Sequence, residues 1–409
     1  MKILLIDKYY YRKGGSQTYL LELQAKLEGE GHEVIVFSMK SDENYPSKYK
    51  DHFVEHIDYT ARGIQKIKNS LKLIYSREAY NKLCCLIEKT KPDIAHVNLV
   101  YHQLTPSVLH ALKKYRVPMV YVSHDFKLIC PNYKLYNNDE VCRKCYGGKY
   151  LNCLTSKCHK GSSIASLLVT IEAYTHKWLK SYQLLDKIIA PSYYIEQELL
   201  KAGIDKNKIV CLPNFLTMKA EIDLNKIKKE ETLLYYGRLS NEKGLLVLLE
   251  ALRQVKSNVQ VKIIGKGPQQ EELEQFIQKH QLNNVSFLGF KSGIELQSEI
   301  AKAKVTVLPA VWNEPFGLTV IESLSLGTPV IGTKVGAIIE NIEDGKCGAL
   351  VEKGDASQLA AKIDWIMTLS QQEYDCLVEA SIEKSKKYSI DDYYIKLVKL
   401  YESITTKEI

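Results

Sequence analysis

Glu314 and Glu322 close a nine-residue stretch, Glu314-Pro315-Phe316-Gly317-Leu318-Thr319-Val320-Ile321-Glu322, that could bind an anion between two carboxylates. Apolar residues at helical spacing from Gly317 to Leu326, ending at Gly327 with Pro329 just beyond, predict a short helix. Pro315 and Gly317 leave the first N–H groups of that helix open, and such an end suits a phosphate or diphosphate. Glu314 then lies in the loop before the helix and Glu322 about one turn inside it. A ligand whose phosphates meet the helix end could offer hydroxyls to both carboxylates, as a nucleotide sugar would. The plainer alternative is a surface acid beside a helix start and a second acid facing solvent.

Other residues fall where such a ligand would need them. Tyr236-Gly237-Arg238-Leu239-Ser240-Asn241-Glu242-Lys243-Gly244 sets Arg238 and Lys243 at a strand-to-helix junction, a forked donor and a mobile point charge suited to a diphosphate. Gly265 and Gly267 end the next strand and could pass close to a base, or simply form a turn. Gly14-Gly15 follows the first strand, where backbone N–H groups could approach a phosphate, or where a plain tight turn is wanted. His124 ends another strand on the same kind of rim.

The elements needed to position these residues are short apolar strands alternating with helical patterns almost throughout, the mark of an α/β chain with parallel sheets. Strands are expected at 2–7, 33–38, 93–98, 119–123 and 187–191, and again at 232–236, 260–264, 285–288, 304–308, 329–332 and 349–351. Two doubly wound halves follow, with ligands at the carboxyl ends of the strands and a cleft where two sheets face each other. The boundary is expected near Leu212-Pro213-Asn214, before a Lys-rich stretch from Lys219 to Glu231. This gives an N-terminal domain over 1–212, a C-terminal domain over 213–388 and a closing helix over 389–409 that packs back on the first domain.

At 409 residues, two domains are the default, and 45% apolar and 25% charged residues are ordinary for a globular protein. No apolar run approaches a membrane span, and the first strand is too short for a signal peptide, so a cytoplasmic protein is expected. Residues 1–190 hold 29 Lys and Arg against 18 Asp and Glu, leaving 27 against 30 for the rest. The basic first half suits an anionic partner: a lipid surface, a diphosphate-linked substrate or a nucleic acid.

Taken together, these motifs resemble the retaining GT-B glycosyltransferases of family four (glycosyl transferases group 1) that build bacterial capsules, O-antigens and exopolysaccharides. The likeness runs through Gly14-Gly15, Gly31-His32-Glu33-Val34, His124, Pro191-Ser192, Pro213-Asn214, Gly237-Arg238-Leu239 with Lys243-Gly244, Glu314 to Glu322 and Asp344-Gly345. It implies two Rossmann-like domains, an N-terminal one for the acceptor and a C-terminal one for the donor. Arg238 and Lys243 would bind the donor diphosphate, with the amides of Gly317 and Leu318 beside Phe316. Glu322 would hold the ribose, and Glu314 the transferred sugar. His124 would contact sugar and diphosphate, and Gly14-Gly15 would close over the phosphates. No protein nucleophile and no catalytic metal are implied, because the leaving diphosphate itself helps to deprotonate the acceptor. The glutamates are then donor-binding residues and not the acid and base of a glycosidase, which grip the scissile bond from opposite sides. Phe215 departs from the pattern, since many relatives have Gly after the interdomain Asn.

An insert at about 126–162 holds Cys130, Cys142, Cys145, Cys153 and Cys158, half of the ten cysteines. In a cytoplasmic protein such a Cys-x-x-Cys cluster reads as a structural zinc site, with ordinary free or buried thiols as the alternative. Resemblance to a subgroup of the family favours Cys130, Cys142, Cys145 and Cys158, with Cys153 or His159 as substitute. The knuckle would border the acceptor side. Cys84, Cys85, Cys211, Cys347 and Cys376 read as core thiols.

The expected reaction is transfer of a hexose from a UDP- or GDP-sugar to a glycan acceptor, lipid-linked, by an enzyme peripheral on the inner face of the plasma membrane. A sugar-nucleotide epimerase on the same fold is one alternative, separable because it needs no acceptor. A zinc-knuckle nucleic-acid-binding protein is another, disfavoured because the insert lacks repeated aromatics on a basic strand face. A dehydrogenase is less apt still, as no Gly-x-Gly-x-x-Gly follows the first strand.

Overall fold

The computed structural model of the chain describes residues 1–58, 69–70, 72–137, 140–218 and 221–406. Lys219, the start of the expected Lys-rich stretch, and residues 138–139 of the insert lie outside these. The described residues form two compact units, one of Met1–Phe215 with Ile390–Ile409 and the other of Leu216–Ser389.

The first unit is built on β1 (Lys2–Ile6), β2 (Glu33–Phe37), β3 (Ile94–Val97) and β4 (Met119–Val122), with a small antiparallel pair, β5 (Tyr136–Asn137) and β6 (Glu140–Val141), followed by β7 (Lys187–Ala190) and β8 (Ile209–Cys211). Its main sheet runs β2-β1-β3-β4-β7-β8, and each pair is parallel. The second unit contains β9 (Glu230–Tyr236), β10 (Gln260–Ile264), β11 (Val285–Gly289), β12 (Ala303–Leu308), β13 (Val330–Thr333) and β14 (Gly348–Val351). These run β11-β10-β9-β12-β13-β14, again all parallel. All residues of β3, β4 and β12 are buried, so these strands are predominantly apolar on both faces, with His96 in β3 and Lys304 and Thr306 in β12 as buried polar exceptions.

In both sheets the strand order reverses beside the first strand, between β1 and β3 and between β9 and β12. Loops leaving neighbouring strands at such a point diverge and open a crevice at the carboxyl ends. The loops after β9 and β12 carry Arg238–Lys243 and Glu314–Leu318, so the topology itself brings the expected donor residues to one place.

The helix Ile390–Thr405 belongs to the first unit. Tyr393, Leu397 and Tyr401, spaced four apart, form its buried face and join a core with Tyr19, Leu23, Val120, Ile189 and Phe215. This is the closing helix expected from the sequence, packed on the N-terminal unit. Phe215 is fully buried there, its ring 5.1 Å from Tyr19 and 4.9 Å from Tyr393. The departure from Gly therefore fills the core. The chain divides after Phe215, later than the expected Leu212-Pro213, because this ring anchors the connecting segment to the first unit.

Strand β8, three residues long at a sheet edge, and the two-residue strands β5 and β6 are too short to show a pattern in the sequence. Among the supposed core thiols, Cys84 and Cys347 are buried, whereas Cys85, Cys211 and Cys376 are exposed. Cys85 and Cys376 lie on the outer faces of their helices and Cys211 ends the edge strand, positions that apolar composition alone does not distinguish.

Candidate functional site

In the second unit, β9 runs into Gly237 and Arg238, then a single turn over Asn241–Lys243, and then the helix Leu245–Leu252. Gly244 makes the junction at φ +71°, and a Cβ there would lie 1.9 Å from the Pro309 carbonyl oxygen. Only glycine lets the turn press against the segment after β12. That approach brings Lys243 to the second loop, where its ammonium donates to Glu314 Oε1. Trp312 Nε1 donates to the same oxygen at 2.8 Å. Glu314 is thus buried and held by two donors, and its backbone oxygen accepts from Ala337 N at 2.9 Å. Arg238 is exposed on the loop, and its carbonyl accepts from the Tyr235 hydroxyl at 2.8 Å.

Gly317 (φ +83°) then turns the chain into the helix Leu318–Ser325 with no side-chain cap, leaving the first amides open as the sequence implied. The turn is braced from behind. Asn341 donates to the Phe316 carbonyl, Tyr388 donates to Asn341 Oδ1 at 2.7 Å, and the Phe316 ring packs edge-on against Tyr388 at 5.6 Å. Glu322 is half-buried one turn in, and Thr217 Oγ1 donates to its Oε1 at 3.2 Å. Burial pushes the Glu322 carboxyl up to about 7, only partly offset by Thr217. Gly265 and Gly267 lie against the first loop: Cβ atoms there would meet the carbonyl oxygens of Gly237 and Leu239 at 1.8 and 2.1 Å. Their being glycine follows from that chain-to-chain approach.

In the first unit, Gly14 precedes the helix Gly15–Gly29 in extended conformation, exposed, with nothing nearer than 3.8 Å to a hypothetical Cβ. No packing in the unit requires glycine there. His124 follows β4 and packs edge-on against Tyr19 at 4.7 Å, with its buried Nε2 lacking a hydrogen-bond partner. Burial, followed by the neighbouring His96, drives its pKa down to about 3, so the ring is neutral at physiological pH. Below it, the Tyr19 hydroxyl meets Tyr393 at 2.5 Å and His96 Nε2 at 3.2 Å, and Tyr401 meets His96 Nδ1 at 2.7 Å.

Several residues beside these were not singled out from the sequence. At the reversal point between β1 and β3, Lys8 Nζ sits 3.6 Å from the Tyr101 ring centroid and the Tyr101 hydroxyl donates to Asp125. Burial raises Asp7 to about 6 and lowers Lys8 to about 8, the latter opposed by Asp125 and Asp7. Lys127 and Glu172 form a buried pair at 2.7 Å. Only the position of Lys8, just past the first strand, could have pointed to this group. Trp312, two residues before Glu314, and the brace Asn341–Tyr388 carried no motif of their own.

The five insert cysteines lie near one another. Burial raises the Cys145 thiol to about 12, with further contributions from Cys130, Cys158 and Cys142, and burial lifts Cys130 to about 11. The Cys153 and Cys158 sulfurs are 2.9 Å apart. The donor chemistry suits zinc, yet among the described residues no group of three or more His, Cys, Asp or Glu is arranged to hold a metal ion.

The family model for "Glycosyltransferase Family 4" matches residues 13–218, and that for "Glycosyl transferases group 1" matches residues 218–384. The chain belongs to the family 4, group 1 glycosyltransferases. This glycosyltransferase is 26% identical to an uncharacterised 41.2 kDa protein of the cps region of Klebsiella pneumoniae, over 95% of this chain and 97% of the relative. It is 31% identical to the putative colanic acid biosynthesis glycosyltransferase WcaL of Salmonella typhimurium over 36% of the chain and 39% of the relative. It spans 60% of an uncharacterised Methanocaldococcus jannaschii glycosyltransferase, at 30% identity over 54% of its own length. Among solved structures it resembles Anabaena HepE in complex with UDP and glucose, with a TM-score of 0.66 at 18% identity, covering 98% of this chain and all of the other. The fold is therefore GT-B, two Rossmann-like parallel-sheet domains. No helix among the described residues is long and apolar enough to cross a membrane.

Proposed function

We propose that this glycosyltransferase moves a hexose, with retention of configuration, from a UDP- or GDP-sugar to a glycan acceptor in surface polysaccharide synthesis. The observation that carries the reading is the convergence of Lys243, Glu314, the uncapped helix end at Gly317–Leu318 and Glu322 at the reversal point of the second sheet. Capsule-region and colanic-acid relatives support the polysaccharide context, and the UDP-bound neighbour supports a nucleotide-sugar donor.

In this reading the amides of Gly317 and Leu318 with Arg238 and Lys243 bind the diphosphate and stabilise the charge on the leaving nucleotide. Glu322 accepts from the ribose hydroxyls; Glu314, fixed by Lys243 and Trp312, accepts from the sugar hydroxyls. Phe316, Gly265 and Gly267 shape the nucleoside side. From the N-terminal unit, neutral His124 donates to or accepts from the sugar through its unpartnered Nε2. Gly14-Gly15 meets the phosphates, and the absence of any internal demand for glycine at 14 supports close approach by a ligand. The leaving diphosphate takes the acceptor's proton, so no side chain need act as nucleophile and no catalytic metal is required.

In this reading the first unit, Met1–Phe215 with the closing helix, takes the acceptor, lipid-linked, at the inner membrane surface, and the second unit, Leu216–Ser389, takes the donor. Zinc, if bound, is held by Cys130, Cys142, Cys145 and Cys158, with Cys153 as alternative, and would brace the insert. Metal analysis of protein purified under reducing conditions tests this, and a metal-free preparation would end it. The transferase reading is tested by incubating the protein with a panel of nucleotide sugars: slow hydrolysis of one UDP- or GDP-hexose is expected. Turnover to a different nucleotide sugar without acceptor would instead identify an epimerase.

A further inference from the structure

The helix Ser163–Trp178 turns a mostly polar face inward, with Val169 as its one fully buried apolar residue. Ser166, Thr170, Glu172 and His176 are buried, with Glu172 bound to Lys127 and His176 bonded to Ser181 Oγ at 2.9 Å and the Ile74 carbonyl at 2.7 Å. These bonds fix the helix about its axis. The opposite face is apolar and exposed: Ile164 at 70%, Trp178 at 81%, and Leu167 and Ile171 between them. At ~100° per residue these four fall within an arc of about 60°. Leu151, exposed and with its backbone N bonded to the Tyr174 hydroxyl at 3.3 Å, extends the face onto the preceding short helix. A surface helix ordinarily turns its apolar stripe to the core, and a contiguous exposed stripe marks a surface that binds something.

Charge indicates what binds. Exposed lysines at 144, 149, 157, 160, 177 and 180 flank Leu151 and the stripe along the chain, whereas the one acid between residues 143 and 180 is the buried, paired Glu172. A two-fold contact with a second copy would set this basic field against itself. We infer that the Ser163–Trp178 face is a membrane-docking surface for an anionic phospholipid bilayer, its apolar residues entering the acyl boundary and its lysines meeting the headgroups. This deepens the membrane-peripheral part of the reading above and rests on that part alone; the donor chemistry is independent of it.

The test is co-sedimentation of the full chain with phosphatidylglycerol-containing and with pure phosphatidylcholine vesicles. Binding to the anionic vesicles, weakened by salt, is expected. Ile164→Ser/Ile171→Ser/Trp178→Ser should weaken it at least about tenfold, and the milder Lys157→Glu/Lys160→Glu should weaken it severalfold, both with nucleotide-sugar hydrolysis unchanged. Equal binding by wild type and both variants, or no binding by wild type, would overturn the inference. So would a dimer in vesicle-free buffer that the triple variant dissociates. A wild type that binds vesicles but hydrolyses no nucleotide sugar would count against the transferase reading and leave this one standing.

Discussion

Lys243 and Glu314, 71 positions apart in the chain, meet as an ion pair in the loop leading into the uncapped helix Leu318–Ser325. In the proposed reading, Lys243 meets the diphosphate and Glu314 the transferred sugar. Lys243→Ala removes the cation and is expected to lower kcat at least about tenfold, or ~1.4 kcal/mol of transition-state stabilisation. Steady-state kinetics with the donor found in the panel measures it.

Glu314→Gln should separate binding from turnover. Without its counter-charge, Lys243 is freer to meet phosphate, so affinity for the nucleoside diphosphate is expected to hold within about twofold while kcat falls about tenfold. Trp312→Phe, which removes one of the two donors to Glu314, should show a smaller loss in the same direction. A fall in diphosphate affinity matching the fall in kcat would contradict the division of roles.

Glu322 gives a pH signature. Folding raises its pKa from 4.5 to about 7, so the folded state prefers the proton. The stability it contributes is full below about pH 4.5 and is lost as pH rises through about 7. Asp7, raised to about 6, acts in the same sense, so the measurement is the difference in thermal midpoint between wild type and Glu322→Gln, which should shift in favour of the variant across that window. In the proposed reading nucleotide binding runs the other way, since ribose hydroxyls held by Glu322 need its ionised carboxylate. Calorimetry should find affinity weakening as pH falls from 8 to 6, a trend absent in Glu322→Gln, and Glu322→Ala weaker by at least about tenfold at pH 8.

Phe215→Ala empties a site walled by Tyr19 and Tyr393. A loss of about 3–5 kcal/mol is expected, read by urea unfolding of the first unit. Little change would mean that the rings close over the gap.

The alternation of strands and helices, the placement of Glu314 and Glu322 about an open helix end and the packing of the closing helix were legible because each rests on local periodicity or a local turn signal. What stayed hidden is non-local. The Lys243–Glu314 contact depends on Gly244 letting one loop press against another, and glycine in a strand-to-helix turn does not reveal which backbone it approaches. Lys8 and Tyr101 meet because β1 and β3 are neighbours, which the sequence does not state. Cys85 and Cys376 were misread since a thiol is as acceptable on the outer face of a helix as on the inner one.

The helix Ile390–Thr405 completes the aromatic core of the first unit, although it follows the entire second unit in the chain. During synthesis, Tyr19 and His96 must therefore wait through the making of residues 216–389 before Tyr393 and Tyr401 reach them. Until then the N-terminal unit lacks one side of its aromatic core, so completion of that core waits on synthesis of the whole second unit.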